Sequence, residues 1–341
     1  MKILITGGAG FIGSNFIRYI VSAYPEHSVV NLDALTYAGN LENLKDMEDR
    51  PNYRFIKGDI CDRQLLGSLD FDAIINFAAE SHVDRSILDS YPFLQANVIG
   101  AQNLLEAAKT RGCRMLQVST DEVYGSIEKG LFTEKSPISP NSPYSASKAS
   151  ADLLVRAYHE TFGMDVLITR CSNNYGPYQF PEKLIPLVIS HAIAGKPVPV
   201  YGDGKNVRDW IYVLDHCKAI EAVFYRGKSG EVYNAGGKNE LQNIDIVKRL
   251  LTLIAEKTGR DREALMGLIT FVKDRQGHDR RYAIDPSKLE RELGWIPETG
   301  FEEGLSHTVD WYLSNQEWWK RIISGEYMDY YKMQYGERLS E

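Results

Sequence analysis

The chain has 341 residues and a formal net charge of −7 at pH 7. This length is sufficient for one large domain or two joined domains with a sizeable core. The acidic balance argues against a general role in binding nucleic acid or an anionic membrane surface, because both roles need a basic face. A small acidic ligand can still be held by a few local cations.

The cysteines and the first residues of the chain indicate the cellular compartment to expect. The four cysteines stand far apart and form no C-x-x-C or Cys/His cluster, which argues against a metal centre or disulfides. The first residues, Lys2–Thr6, run straight into a glycine loop and lack the pattern of a signal peptide. No apolar run approaches the roughly 20 residues of a membrane span. We expect a soluble cytoplasmic protein.

Short apolar or β-branched runs alternate with longer amphipathic stretches along the first half of the chain. This spacing predicts strands at Lys2–Thr6, Ser28–Asp33, Tyr53–Lys57, Asp72–Ala78, Cys113–Ser119 and Asp165–Cys171. It predicts helices at Phe11–Tyr24, Tyr91–Arg111 and Pro143–Phe162. The alternation indicates an α/β fold with a doubly wound parallel sheet, whose ligands bind beyond the carboxyl ends of the strands.

After about residue 172 this rhythm breaks. Five prolines arrive in quick succession, at Pro177, Pro181, Pro186, Pro197 and Pro199. We expect loops and short elements there in place of regular βα units. The predicted organisation is a first domain of residues 1–171, to which some later segments return, and a smaller, discontinuous α/β domain that mainly comprises residues 172–341 and binds the substrate.

The segment LITGGAGFIGSN contains Gly8-x-Gly10-x-x-Gly13, and Gly7 adds a second spacing of three. The loop follows a predicted strand and opens a predicted helix, where glycines let the backbone approach a pyrophosphate at the positive end of the helix. Twenty residues after Gly13, Asp33 ends the second strand. Its carboxylate can accept the ribose hydroxyls and would repel a 2′-phosphate. The pattern predicts a Rossmann-type dinucleotide site that prefers NAD to NADP.

The segment SPNSPYSASKAS has the features of a helix start. Ser142 suits the N-cap and Pro143 the first helical position, so Tyr144 and Lys148 stand four residues apart on one helical face. The ammonium group and the positive end of the helix both stabilise a phenolate, which would let Tyr144 act as a general base. The alternative is an ordinary surface pair.

The segment VSTDEVYGS places a hydroxyl and two acids where the fifth predicted strand ends. Tyr144, Lys148 and the Thr120 hydroxyl suffice to move a hydride between a carbinol and NAD, so Asp121 and Glu122 are surplus to that step. Neighbouring side chains of a strand point to opposite faces, so both acids reach one substrate only if the strand has ended in a loop, which Gly125 permits.

A pair of carboxyl groups beside a transient ketone suits the elimination of water. One group takes the proton α to the carbonyl, and the other protonates a β-leaving hydroxyl. We take Asp121 as the protonated member and Glu122 as the ionised one, with the reverse assignment left open. The alternative is that both acids only cap the following turn.

Segments along nearly the whole chain resemble the extended short-chain dehydrogenase/reductases, and within them the nucleotide-sugar 4,6-dehydratases. These segments are GGAGFIGSN, NLDALTYAGNLENL, FAAESHVDRSI, STDEVYGS, SPYSASKASAD, RCSNNYGPYQFPEKLIPLVI, YGDGKNVRDWIYV and DRQGHDRRYAID. The resemblance implies an NAD-dependent lyase that converts dTDP-glucose into dTDP-4-keto-6-deoxyglucose and water in deoxysugar biosynthesis. Tyr144 would deprotonate O4, Glu122 would remove the C5 proton, and Asp121 would protonate the leaving O6. The alternative is a dehydratase or 4-epimerase acting on another nucleotide sugar.

The resemblance also implies a set of ligand contacts and a homodimer. The implied cofactor contacts are Gly7, Gly10, Phe11, Ile12, Gly13, Asp33, Asp59, Ile60, Ala78, Ala79, Tyr144, Lys148 and Asn174. The implied substrate contacts are Ser81, Thr120, Asn173, Lys183, Leu184, Pro199, Tyr201, Arg208, Asn243, Arg275 and His278. The dimer would form around the helices at Tyr91–Arg111 and Pro143–Phe162. Asp59 could equally cap a turn, and no metal is predicted because His82 and His278 show no metal-ligand spacing.

Overall fold

The computed structural model describes residues 1–323 of the chain. Its strands are β1 (Lys2–Thr6), β2 (Ser28–Asp33), β3 (Tyr53–Lys57), β4 (Ala73–Asn76), β5 (Arg114–Thr120), β6 (Val166–Cys171), β7 (Asn173–Tyr175), β8 (Val198–Tyr201), β9 (Val207–Tyr212), β10 (Val232–Ala235), β11 (Glu240–Gln242) and β12 (Ile269–Val272). Its α-helices are α1 (Phe11–Ala23), α2 (Arg63–Ser68), α3 (Val83–Leu88), α4 (Tyr91–Phe93), α5 (Ala101–Arg111), α6 (Pro143–Phe162), α7 (Leu184–Ala194), α8 (Val213–Arg226), α9 (Asn243–Thr258), α10 (Arg262–Met266), α11 (Ser287–Leu293), α12 (Phe301–Ser314) and α13 (Gln316–Ile322). In the described part, no helix has both the length and the apolar surface needed to cross a membrane.

The main sheet confirms the predicted doubly wound topology. Seven parallel strands lie in the order β10-β6-β5-β4-β1-β2-β3. One apolar core lies between the sheet and helices α1, α8 and α11, and another lies between the sheet and α2, α5 and α6. The strand order reverses between β1 and β4, so their carboxyl ends border the crevice in which ligands of such sheets bind.

The prediction of one continuous helix at Tyr91–Arg111 is wrong. A π-helical segment, Leu94–Gly100, separates α4 from α5. Asn97 projects from this segment, where its Nδ2 donates to Ser147 Oγ at 2.8 Å and its Oδ1 accepts from the backbone nitrogen of Glu80 at 2.9 Å. Single π turns inside helices often place a side chain for such a role. The spacing of apolar residues in the sequence does not reveal that a π-helical turn contains more residues than an α-helical turn.

The second half of the chain is more regular than predicted. Helices α7, α8, α9 and α12 have 11 to 16 residues, and all but α8 enclose a separate apolar core. The prolines do not interrupt them, because Pro186 lies in the first turn of α7 and Pro177 and Pro181 precede that helix. Strand β10 and helix α8 pack with the first half of the chain. Residues 324–341 of the predicted second domain lie outside the described part.

Helix α13, the last helix of the described residues, reaches back to the glycine loop. The indole Nε1 of Trp318 donates to Asn43 Oδ1 at 2.9 Å, and Asn43 Nδ2 donates to the carbonyl oxygen of Ala9 at 2.9 Å. The backbone nitrogen of Ala9 donates to Asp33 Oδ2, also at 2.9 Å. The loop is therefore held from both sides, by the end of β2 and by a helix from the far end of the described chain.

Candidate active site

A cavity of about 340 Å³ lies at the carboxyl ends of the central strands. Its wall includes every residue for which a cofactor contact was expected from the sequence, and also Ser81, Thr120, Asn173 and Lys183 from the expected substrate contacts. Asp121 and Glu122 line it as well. The cavity thus brings the two groups of residues into one space.

The glycine loop leaves no room for side chains. A Cβ atom on Gly13 would lie 2.4 Å from the carbonyl oxygen of Gly7 and 2.8 Å from the Cα of Gly8. Gly7 has a φ of 70°, and a Cβ there would lie 2.5 Å from the backbone nitrogen of Ala78. Gly10 is the N-cap of α1 and supplies no side-chain cap, so the first N–H groups of this helix remain available to an anion.

Asp33 is fixed at the cavity wall by two backbone hydrogen bonds. Its Oδ2 accepts from the nitrogen of Ala9 and its Oδ1 accepts from the nitrogen of Leu35 at 2.8 Å. Burial raises the pKa of the Asp33 carboxyl, and the two hydrogen bonds oppose that shift. Asp59 also lines the cavity, and its Oδ1 accepts from the nitrogen of Cys61 at 2.8 Å. Asp59 therefore caps a turn and faces the cavity at once.

The acids at 121 and 122 lie in a 3-10 turn, Asp121–Tyr124, where the sequence predicted an open loop. Thr120 ends β5 and caps this turn, because its Oγ1 accepts from the nitrogen of Glu122 at 3.3 Å. Gly125 ends the turn with a φ of 80°, and a Cβ there would lie 2.3 Å from the carbonyl oxygen of Ser139. The tight turn changes the side-chain direction after the strand, which lets both acids face one cavity.

The two carboxyl groups differ in their electrostatic surroundings. Asp121 is only 2% exposed, and burial together with the nearby charge of Glu122 raises its pKa well above the ordinary value. Burial also raises the pKa of Glu122, but the positive charges of Arg275, Arg208 and Lys183 oppose the shift. This asymmetry favours Asp121 as the neutral acid and Glu122 as the carboxylate.

Helix α6 starts as the sequence predicts. Ser142 caps it in a reciprocal pair of hydrogen bonds with Ser145, and Pro143 occupies the first helical position. Tyr144 and Lys148 both face the cavity. The ammonium Nζ of Lys148 donates to the carbonyl oxygen of Val118 at 2.8 Å.

The environment of Tyr144 works against the phenolate form that the sequence analysis proposes. Burial raises the pKa of Tyr144 well above its ordinary value, and the charge of Glu122 adds to the increase. A hydrogen bond with Thr120 opposes this shift. Burial also lowers the pKa of Lys148, whose ammonium group is already directed at a backbone carbonyl. Desolvation therefore dominates both groups.

Several expected substrate contacts are not part of the cavity wall. These residues are Leu184, Pro199, Tyr201, Arg208, Asn243, Arg275 and His278. Arg208 and Arg275 nevertheless act electrostatically on Glu122, and the guanidinium carbon of Arg208 lies 4.2 Å from the centre of the Tyr282 ring. The phenol of Tyr201 donates to Asp84 Oδ2 at 3.2 Å. Of this set, Arg208 and Arg275 are therefore the residues shown to act on the acids.

His82 and His278 each have a carboxylate neighbour that the sequence analysis overlooked. His278 Nδ1 lies 2.5 Å from Asp274 Oδ1, four residues earlier, and His82 Nε2 lies 3.8 Å from Glu182 Oε2. His82 also caps α3, where its Nδ1 accepts from the nitrogen of Arg85. Within residues 1–323, His, Cys, Asp and Glu side chains nowhere gather in a group of three able to hold a metal ion.

Cys171 and Glu182 are among the cavity residues that the sequence did not predict. Cys171 ends β6 directly opposite Thr120 in the parallel register, so the alignment of these two strand ends was the signal for it. Glu182 immediately precedes Lys183, and its buried carboxylate lies 3.5 Å from Arg85 Nε. The position of Glu182 next to Lys183, a predicted substrate contact, was the feature of the sequence that could have indicated it.

Comparison with known proteins places the chain in a family. Residues 4–308 match the family model described as GDP-mannose 4,6 dehydratase. The chain belongs to the GDP-mannose 4,6-dehydratase family. This match covers both the main sheet and most of the second half of the described structure.

Several known proteins are similar to this chain over nearly its whole length. The dTDP-glucose 4,6-dehydratase of Xanthomonas campestris pv. campestris (strain B100) is 55% identical, over 95% of this chain and 96% of the relative. The crystal structure of DesIV, a dTDP-glucose 4,6-dehydratase from Streptomyces venezuelae with NAD bound, superposes with a TM-score of 0.89 at 50% identity and covers 94% of this chain and 100% of that one. The dTDP-glucose 4,6-dehydratase of Bacillus anthracis str. Ames in complex with NAD gives a TM-score of 0.86 at 51% identity, over 94% of this chain and 99% of that one.

We expect Asp121→Asn to increase the free energy of unfolding near neutral pH. The pKa of Asp121 is higher in the folded protein than its unfolded value of about 4, so this carboxyl makes the folded state progressively less stable as pH rises above about 4. The neutral amide removes this loss. Urea unfolding at pH values from about 4 to 8 should show a gain that grows with pH.

The matched control for this measurement is Asp245→Asn, which removes an exposed carboxyl on α9. It should not reproduce the gain, because folding does not remove an exposed carboxylate from water. A difference between wild type and Asp121→Asn that stays constant over the whole pH range would contradict the expected effect.

Proposed function

We propose that the chain is a dTDP-glucose 4,6-dehydratase, which converts dTDP-glucose into dTDP-4-keto-6-deoxyglucose and water with NAD as its cofactor. The observation that carries the proposal is a buried, electrostatically asymmetric pair of acids, Asp121 and Glu122, in the same cavity as Tyr144, Lys148 and the glycine loop. The names of the relatives and their NAD complexes support the same activity.

The cavity suits NAD at two points. The close backbone around Gly13 and the uncapped start of α1 accommodate a pyrophosphate, and Asp33 offers carboxylate oxygens to a ribose while disfavouring a 2′-phosphate. When bound, NAD supplies an acceptor for the C4 hydride, which returns to C6, and a positively charged ring.

The first proton transfer uses Tyr144 and Thr120. The Thr120 hydroxyl forms a hydrogen bond with O4 of the sugar. The Tyr144 side chain, in its phenolate form, takes the O4 proton. The raised pKa of Tyr144 means that this step needs positive charge near the ring, to which Lys148 and the start of α6 contribute. Oxidation of C4 to a ketone then makes the proton on C5 acidic.

The elimination step uses the two acids. Glu122, kept ionised by neighbouring cations, takes the C5 proton, and Asp121, kept neutral by burial, gives its proton to O6. The C5–H electron pair forms the C5=C6 bond as the C6–O6 bond breaks and water leaves. Return of the hydride to C6 and of a proton to C5 completes the 4-keto-6-deoxy sugar.

The substrate is held between the two halves of the chain. Ser81, Asn173 and Lys183 line the cavity and suit the sugar and its diphosphate, while Asn174 serves the cofactor side. The remaining proposed contacts, nearer the nucleotide, are Leu184, Pro199, Tyr201, Arg208, Asn243, Arg275 and His278. Two arginines give this acidic protein the local positive charge that a diphosphate needs.

The protein acts as a homodimer in the cytoplasm and supplies a deoxysugar pathway, with rhamnose as the proposed end product. Exposed apolar side chains gather on the surface formed by α3, α4, the π-helical segment and α6, which supports pairing there. They include Leu88, Tyr91, Leu94 and Leu153. Fractionation of cells, and the rhamnose content of cells that lack the gene, test the location and the pathway.

Incubation with dTDP-glucose that carries deuterium at C4 tests the reaction. We expect a 4-keto-6-deoxy product with the label at C6, because one hydride is removed from C4 and handed back to C6. Mass spectrometry and NMR of the product locate the label. Return of the label to C4 in an epimerised sugar would instead identify a 4-epimerase, and a panel of other nucleotide-glucoses tests the choice of base.

We expect Gly13→Ala to weaken NAD binding by at least roughly tenfold, which is about 1.4 kcal/mol. The new methyl group would meet the backbone of Gly7 and Gly8 and would force the loop apart. NAD retained after gel filtration, together with its dissociation constant, provides the measurement. Gly67→Ala is the control, since a Cβ at that helical position has nothing within 4 Å and should leave NAD binding unchanged.

We expect Leu94→Glu to shift the protein from dimer to monomer in sedimentation velocity experiments. The side chain is 49% exposed on the proposed dimer surface, and a charge there would have to be desolvated on association. Phe271→Glu is the control, because Phe271 is 56% exposed in the second half of the chain and should not affect assembly. A wild type that sediments as a monomer would refute the dimer.

A further inference from the structure

A buried network of three side chains connects the helix of Tyr144 and Lys148 to the turn of Asp121 and Glu122. Its members are Asp152, Arg170 and Tyr124, which are 1%, 4% and 2% exposed. None of the three lines the cavity. The proposed chemistry makes no use of them, so their burial raises the question of what they do.

Asp152 extends the catalytic face of α6. It follows Tyr144 and Lys148 at the same spacing of four residues, so the three side chains lie along one side of the helix. Its carboxylate also acts on Lys148, where it opposes the fall in pKa that burial causes. The helix thus carries an anion one turn beyond the proposed catalytic pair.

Arg170 on β6 joins that anion to the acid turn. Its Nε donates to Asp152 Oδ2 at 2.9 Å, and its NH1 group donates to the phenol oxygen of Tyr124, also at 2.9 Å. The guanidinium carbon lies 4.8 Å from the centre of the Tyr124 ring. A guanidinium has donors in a fixed planar fork, so one Arg side chain can hold both partners at a set separation.

Tyr124 is anchored on its other sides as well. Its phenol donates to Asn234 Oδ1 on β10 at 2.8 Å, and its ring stacks on Phe132 with centroids 5.0 Å apart. Tyr124 is also the last residue of the 3-10 turn that begins at Asp121. Fixing its ring and hydroxyl therefore fixes the turn to which both acids belong.

We infer that Asp152, Arg170 and Tyr124 are positioning residues that hold the elimination acids at a set distance from Tyr144. The inference rests on the proposed dehydratase activity. Oxidation at C4 depends on α6, whereas elimination across C5 and C6 depends on the turn, and both must act on one bound sugar. A displacement of about 1 Å between reacting groups can cost on the order of a hundredfold in rate.

Tyr124→Phe is the sharpest test. It keeps the ring that stacks on Phe132 and removes only the hydroxyl that Arg170 and Asn234 bind. We expect C4 oxidation, followed in a single turnover by the absorbance of the reduced nicotinamide, to stay within about twofold of wild type. Formation of the 4-keto-6-deoxy product should slow by roughly tenfold to a hundredfold, and the reduced cofactor should accumulate.

Tyr233→Phe is the matched control. Tyr233 lies one residue before Asn234, is fully buried, and its hydroxyl accepts from the nitrogen of Lys228 at 3.1 Å. Its loss should leave both rates and their ratio unchanged. Equal slowing of oxidation and elimination in Tyr124→Phe would overturn the inference, since it would indicate a merely structural role, and so would wild-type rates for both steps.

Arg170→Lys provides a second test that retains the positive charge. A single ammonium group lacks the planar fork, so it should keep the pairing with Asp152 and lose the hold on Tyr124. Elimination should slow as in Tyr124→Phe, and amide hydrogen exchange should become faster at Val123 and Gly125. Unchanged exchange together with unchanged elimination would also overturn the inference.

The wild type separates failure of this inference from failure of the proposed function. A wild-type protein that does not move deuterium from C4 to C6 would refute the dehydratase activity itself. A different outcome is a wild type that transfers the label normally while both variants keep the wild-type ratio of the oxidation rate to the elimination rate. That result would refute only the positioning network.

Discussion

The exclusion of water from the end of β5 is the constraint on which the rest of the site depends. A carboxyl group in water ionises near pH 4 and cannot donate a proton at neutral pH. Burial at the end of the strand raises the pKa of Asp121, and the adjacent charge of Glu122 adds to that increase. Two neighbouring carboxyl groups thereby acquire different protonation preferences, and acid and base chemistry become available in one cavity.

Cations from the second half of the chain favour the ionised form of Glu122. Arg208, Arg275 and Lys183 act on Glu122, and all three come from segments later than the strands that form the floor of the cavity. The same positive charges suit a nucleoside diphosphate. One set of cations thus serves both the proposed ligand binding and the ionisation of the proposed base, which explains why the acids lie where the two halves of the chain meet.

Desolvation also has a cost at Tyr144. It raises the pKa of the phenol that is the proposed general base, and Lys148 directs its ammonium group to the carbonyl of Val118. The proton transfer proposed for Tyr144 therefore requires positive charge in the cavity to offset this desolvation. Lys148, the start of α6 and the nicotinamide ring of bound NAD are the proposed sources of that charge.

The amino-acid sequence by itself determined the parallel sheet, the glycine loop with Asp33, the start of α6 and the identity of the catalytic candidates. These features depend on local spacing, caps and turns, and β1, β2, β3 and α6 begin and end at the predicted residues. Only the tertiary structure decided the 3-10 turn at Asp121, the interruption of the helix near Asn97 and the regular helices of the second half. It also decided the direction in which the pKa of Tyr144 is shifted. These features depend on burial and on contacts between segments that are distant in the sequence, such as Arg170 with Tyr124. The pKa of a buried group depends on how far folding excludes water from it and on which charges folding brings near it.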